Sequence, residues 1–171
     1  MSSIQASALP EQALLNKYAR GGAYTDCYET VVARLVSQAE YVEAFYTGTL
    51  FKLERLLLGW LVSKPSTDAQ AKDLASGALD TFAAWRVEER NANQLLMCAL
   101  GGRTRSWLMV VPADSGASAF TRLYFGSAVV PVFDKPTGRA TLGSTYKALL
   151  GFHKLYSRAL LSAARSRLSH T

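Results

Sequence analysis

Of the two histidines in this chain of 171 residues, His153 falls inside the strongly patterned part and His170 is the next-to-last residue. Imidazole titrates near neutrality, which suits it to general acid–base work. A lone histidine on an apolar helix face also serves as a hydrogen-bonded core residue, and the sequence leaves both roles open. Two carboxylates are placed to act with it. Asp26 stands between Tyr24 and Tyr28 in a strand-like run, and Glu89 shares a strand face with Trp85 and Val87 by simple alternation. A carboxylate projecting among aromatic rings has its pKa raised by burial and can serve as an acid. The plainer roles are a buried or exposed strand residue for Asp26 and a solvated hairpin end for Glu89.

The run RTRSWLMVV puts Arg103, Arg105, Trp107, Met109 and Val111 on one strand face. Arginines at the mouth of a pocket clamp a carboxylate or phosphate bidentately. Alternatively they pair with Glu88 or Glu89 across a hairpin, which contributes little. Leu108 and Val110 make the other side of the same strand apolar. The sheet therefore needs a second cover, from the early helices or from another subunit, and a homodimer is one expectation. No metal site is expected, because zinc takes three or four clustered ligands and Cys27, Cys98 and His153 show no such spacing. The sequence holds no nucleophile elbow, phosphate-cradling glycine loop or dinucleotide fingerprint, so no cofactor is expected. Gly101-Gly102 reads as a turn.

The elements that must position these residues follow from periodicity. Residues 1–22 read as a loosely attached N-terminal arm with a short helix over residues 11–19. Residues 23–32 carry the β-branched and aromatic content of a strand. Ser37-x-x-Glu40 and Thr67-x-x-Gln70 have capping-box spacing, predicting helices that run to about Tyr46 and Leu79. A further helix is expected between them, over residues 50–61. The pattern then shifts towards period two. Residues 85–90 and 94–100 flank Asn91-Ala92-Asn93, a hairpin connection. Strands over residues 103–111 and 120–133 follow, the last bent at Gly126 or ended at Pro131. Residues 139–171 read as one long amphipathic helix. Its apolar stripe is Leu142, Tyr146, Leu149, His153, Tyr156, Leu160 and Ala163, with Lys147, Lys154, Arg158 and Arg165 nearly opposite. Short hairpin links imply an antiparallel sheet, with helices segregated to one face. The class is α+β: one domain over residues 23–168 behind the arm, with about five strands.

Bulk properties narrow the setting. The longest apolar run, residues 56–62, is far shorter than the roughly 20 residues of a membrane span. The first ten residues lack a basic start and an apolar stretch, so no secretory signal is read there. Two cysteines do not make a disulfide framework, and a cytoplasmic location is expected. Residues 1–134 hold 12 Lys and Arg against 13 Asp and Glu, whereas residues 135–171 hold seven bases and no acid. That basic stripe is a solvated helix face favoured near a helix C-terminus, or a dock for an anionic partner such as an acidic protein or a lipid surface. No RNA-binding aromatic motif or zinc-finger spacing accompanies it, so nucleic acid is not an expected partner.

With that order in view, the chain resembles the START-like, or helix-grip, superfamily that includes polyketide cyclases and lipid-transfer domains, and within it a family of uncharacterised bacterial proteins. The resemblance rests on Tyr24-x-Asp26-x-Tyr28, LERLLLGWL, FAAWRVEERNANQLLM with RTRSWLMVV, and LGSTYKALLGFHKLYSRALL, together spanning residues 23–165. It implies a curved antiparallel sheet gripping the C-terminal helix, with an apolar cavity between them. Six or seven strands are usual in that fold, against the five counted. The leading expectation is therefore binding of a small hydrophobic or amphipathic ligand in that cavity. Arg105, Trp107, Tyr146, Leu149, His153 and Tyr156 would be its contacts. The alternatives are a cyclase, dehydratase or isomerase using His153 with Asp26 or Glu89, and a ligand-free interaction module using the basic helix face.

Overall fold

The computed structural model describes residues 3–48, 50–51, 66–114, 119–133, 140–141 and 144–170. A short strand β1 (Gln5–Ala6) and helix α1 (Asn16–Arg20) precede the long strand β2 (Tyr24–Val32). Helices α2 (Gln38–Tyr46) and α3 (Asp68–Ser76) follow, then β3 (Thr81–Phe82), β4 (Trp85–Asn91), β5 (Gln94–Ala99), β6 (Thr104–Asp114) and β7 (Ala119–Val129). The pair β8 (Val132–Phe133) and β9 (Ala140–Thr141) leads into the closing helix α4 (Ser144–Ser169). The expected helix over residues 50–61 lies almost wholly outside the described residues.

Seven strands form one curved, fully antiparallel sheet in the order β1-β2-β7-β6-β5-β4-β3. The fold is α+β, with α4 packed against the sheet. Two strands escape the sequence pattern because each is only two residues long, too short to show alternation. They are β1 and β3, which sit at the two edges.

Both capping boxes form. The Ser37 and Thr67 side chains accept from the Glu40 and Gln70 amides, and the latter side chains accept from the Ser37 and Thr67 amides. Helix α3 stops at Ser76, three residues before the expected Leu79. Gly77 takes a left-handed conformation there, and a Cβ on it would meet the Arg90 guanidinium. At the other end of the fold, Arg34 Nε donates to the Leu168 carbonyl at 2.9 Å and ties down the last turn of α4.

The strands are apolar on both faces, and each face has its own cover. On the inner face, Tyr28, Met97, Leu108, Val110, Leu123 and Phe125 pack against Tyr41, Phe45 and Tyr46 of α2, Leu74 of α3, and Leu160, Leu161 and Ala164 of α4. On the outer face, Cys27, Leu96, Trp107, Met109, Tyr124 and Ala128 pack against Ala13 and Leu15 of the N-terminal segment. The arm is therefore not loose. Leu15 is fully buried, and the second cover that the strand pattern requires is the chain's own first 20 residues.

The buried stripe of α4 also differs from its expected course. His153 and Tyr156 are half-buried and Leu160 is buried as read, but the last turns bury Leu161, Ala164 and Leu168, while Ala163 is only partly covered. Steps of three and four average 3.5 residues, whereas a straight helix turns every 3.6, so the covered face drifts by about 20° per heptad. Leu142 lies outside the described residues, as do the side chains of Tyr146 and Leu149.

Candidate functional site

The register of two central strands creates the polar end of the site. Asp26 of β2 lies directly opposite Ser127 of β7, and alternation places both on the inner face with Tyr28 and Phe125. The Ser127 hydroxyl donates to Asp26 Oδ1 at 2.6 Å, and the Ser127 amide donates to the same oxygen at 3.1 Å. Tyr24 Oη donates to Oδ2 at 3.3 Å. Helix α4 then brings His153 Nε2 to 3.2 Å from Asp26 Oδ2 and 2.7 Å from Ser127 Oγ.

Proton bookkeeping fixes the roles. Burial alone would raise the pKa of Asp26, but hydrogen bonds from His153 and Ser127 outweigh it and hold the carboxyl below its usual range. An ionised Asp26 can only accept, so the Ser127 proton points to it. Ser127 Oγ then accepts from His153, which places a hydrogen on Nε2. Its contacts with Asp26 and Ser127 both run through this one nitrogen. The arrangement is thus not a nucleophile–base–acid chain, because the Ser127 O–H is directed at a carboxylate and not at the imidazole. It is an imidazole clamped by an anion and a hydroxyl. Among the described residues no three His, Cys, Asp or Glu side chains cluster as metal ligands would.

Beside this clamp is a half-enclosed cavity of about 200 Å³ between the sheet, α2 and α4. Phe45, Tyr46, Phe51, Trp85, Phe125 and Tyr156 supply aromatic walls, and Leu160 closes one side. The rings brace one another: Phe45 and Phe125 have centroids 5.0 Å apart, Tyr46 and Phe51 4.8 Å apart. Edge-on and tilted pairs of this kind add stability beyond their buried area. Thr104, Ser106, Ser127, His153 and Ser157 form the polar part of the lining. The Ser157 hydroxyl is buried and has no hydrogen-bond partner among the described residues.

The expected contact residues divide between the two faces. His153 and Tyr156 line the cavity. Arg105 borders it as a strand residue, yet its guanidinium is committed to the other side, where Nε donates to Glu88 Oε2 at 2.6 Å and to Tyr18 Oη at 2.7 Å. Its ring contact agrees, with the guanidinium 4.6 Å from the centre of the Tyr18 ring. Trp107 is fully buried in the outer layer, its indole donating to Gln94 Oε1 at 2.9 Å, so it is not a cavity residue. The reason is parity: Ser106 and Leu108 take the inner positions of β6.

Glu89 is displaced by a β-bulge. Val87 faces Met97 across the ladder while Glu89 faces Leu96, so Glu88 is the extra residue and the side-chain alternation reverses there. Glu89 ends on the outer side, half-exposed, with Lys17 Nζ at 3.0 Å. It is therefore not a carboxylate of the cavity. Glu88 instead receives hydrogen bonds from Tyr18, Lys17 and Arg105, which override its burial and lower its pKa.

Several lining residues were missed by sequence reasoning. Ser127 interrupts the apolar run YFGSAVV, and Ser157 follows His153 at helical spacing. Those two signals were legible. Phe45, Tyr46 and Phe51 carried none beyond their apolar character. A comparison of the chain with protein-family models and with curated proteins finds no match. Among the described residues no helix is long and apolar enough to cross a membrane.

Proposed function

We propose that this chain is a helix-grip-like receptor, related to the START-like superfamily, that holds a small amphipathic molecule between its sheet and α4. The observation that carries the reading is the aromatic cavity with hydroxyls and an imidazole gathered at one end. Such concave, mostly apolar sites with a few convergent polar groups are the usual form of small-molecule pockets. Its volume, about 200 Å³, lies below the roughly 300–1,000 Å³ of drug-sized sites, which favours a compact ligand over a long-chain lipid. Binding would rest on apolar burial, with His153 fixing orientation. The strand order, with β2 returning beside β7 and a single long helix across the inner face, supports the superfamily assignment. A cytoplasmic setting is consistent with two buried, unpaired cysteines.

A thermal-shift and native-mass screen of phenols, quinones, small ketones and lipids tests the proposal. Ring-sized amphipaths should raise the melting temperature and appear as one-to-one complexes. Failure of every class to do so, in a protein that melts cooperatively, overturns it.

The contact between His153 and Asp26 favours a second reading, an acid–base enzyme of the isomerase or cyclase kind. A carboxylate that holds an imidazole in place sharpens its use as a proton carrier. Exchange of ligand C–H protons for deuterium, followed by NMR and abolished in His153→Gln, would establish it. A bound ligand that shows no exchange above solvent background would leave a receptor alone. For the interaction-module alternative, Arg158 of the basic stripe turns inward enough to donate to the Ile4 carbonyl at 3.1 Å, so this part of the stripe secures the arm.

A further inference from the structure

We infer that the cavity selects a neutral, single-ring molecule bearing one oxygen, and that Ser157 is the residue that recognises this oxygen. The inference rests on the receptor reading above. Ser157 lies one turn beyond His153 on α4, is 1% exposed and borders the cavity. A helical serine often reaches back to the carbonyl four residues earlier, but this hydroxyl has no hydrogen-bond partner among the described residues. A buried, unpartnered hydroxyl is destabilising, and a ligand oxygen in the adjoining space would satisfy it either as donor or as acceptor. The neighbouring Ser127 does not compete, since its proton is held by Asp26.

Charge and size set the rest. Asp26 is ionised behind Ser127 and His153, and the Arg105 guanidinium faces away. A carboxylate ligand would therefore meet a fixed negative charge that the Arg105 guanidinium does not balance. An apolar cavity of about 150 Å³ holds benzene, so this one suits a single ring with a small polar substituent. The flat rings of Phe45 and Phe125 provide its walls.

Three molecules of equal ring size distinguish the possibilities: p-cresol, toluene and 4-methylbenzoate. Each is titrated into the 171-residue chain and into Ser157→Ala, with backbone amide shifts as the readout and melting temperature measured without ligand. In the wild type p-cresol should bind roughly fivefold more tightly than toluene, the worth of one hydrogen bond, and 4-methylbenzoate should bind weakest. Ser157→Ala should erase the preference for p-cresol, leave toluene unaffected, and melt no lower than the wild type. Equal wild-type affinity for p-cresol and toluene, tightest binding of 4-methylbenzoate, or a preference that survives in Ser157→Ala overturns the inference while the receptor reading stands. Should none of the three shift the amides of Phe125, Ser127 and Leu160, the single-ring inference is overturned, and the receptor reading is judged by the wider ligand screen above. Should Ser157→Ala fail to fold, Ser157→Cys, whose thiol is a far weaker hydrogen-bonding group, is read in the same way, and an undiminished preference for p-cresol there overturns the role of Ser157.

Discussion

The two faces of the central sheet are built from alternate residues of the same strands, yet they end in opposite conditions. The outer face is sealed. The arm lays Ala13 and Leu15 over Trp107, Met109 and Leu96, all of them nearly or fully inaccessible. Its polar atoms are spoken for: Gln94 Oε1 accepts from the Trp107 indole and the Leu14 amide, and Gln94 Nε2 donates to the Gln12 carbonyl. The charges at its rim are paired as well, Arg105 and Lys17 both meeting Glu88. The inner face is hollow at one end, with an unpartnered hydroxyl and an imidazole beside a void. A face that is packed and hydrogen-bonded throughout contributes stability, whereas a face with a void forgoes dispersion contacts at that place. The division teaches where to look for function: on the side where stability has been left incomplete.

Substitutions on the two faces should therefore separate stability from binding. The largest effect is expected from Trp107→Ala, which removes a fully buried indole and its bond to Gln94. A loss of about 3–5 kcal/mol in urea unfolding is expected. A loss below 1 kcal/mol would contradict the description of the outer layer as sealed. Gly126→Ala follows. A methyl there would lie 2.8 Å from the Asp26 carbonyl and 2.9 Å from the Trp107 ring, and overpacking of this kind costs about 1–3 kcal/mol. Chevron or equilibrium unfolding would measure it, and a neutral outcome would show that both the β2 backbone at Asp26 and the indole can give way.

On the inner face, Asp26→Asn should lower stability at neutral pH by about 1–3 kcal/mol, since it discharges an acceptor of charge-assisted hydrogen bonds. The pH dependence carries the sharper test. The Asp26 carboxyl is held below its ordinary value near 3.8 in the folded chain. Its contribution is therefore fully present above that value and is lost as the pH falls through the lowered one. The stability gap between wild type and Asp26→Asn should narrow below about pH 3.8, as followed by urea midpoints from pH 7 to 2.5. A gap that stays constant would mean the carboxyl gains nothing from its partners.

The smallest effect is kinetic. Burial pushes the Cys27 thiol up to about 11, so the native protein should react with iodoacetamide at pH 8 far more slowly than a free thiol does. Leu15→Ala, which thins the cover over that face, should speed the labelling as read by intact-mass spectrometry. Fast labelling of the wild type would show that the arm opens.

Much of the scaffold was legible in local pattern. Capping boxes at Ser37 and Thr67, the hairpin at residues 91–93 and the amphipathic C-terminal helix each depend on interactions within a few residues, which sequence spacing records directly. His153 and Asp26 were legible as candidates, because their types are scarce and their neighbours apolar. Their meeting was not, since it depends on which strand of the sheet lies under which turn of α4. The bulge at Glu88 was equally hidden: one extra residue reverses the facing of Glu89, and no residue type marks it.

The sequence alone determined the α+β class, the need for two covers over a sheet apolar on both faces, and the shortlist of groups able to move a proton. Tertiary structure decided that the N-terminal segment is one of those covers. It also sent Trp107 and the Arg105 head outward, and set Asp26, Ser127 and His153 within hydrogen-bonding distance beside a void. The physical reason is that periodicity assigns a residue to a face, while the partner opposite that face is set by register and packing between segments about 100 residues apart, as with Asp26 and Ser127.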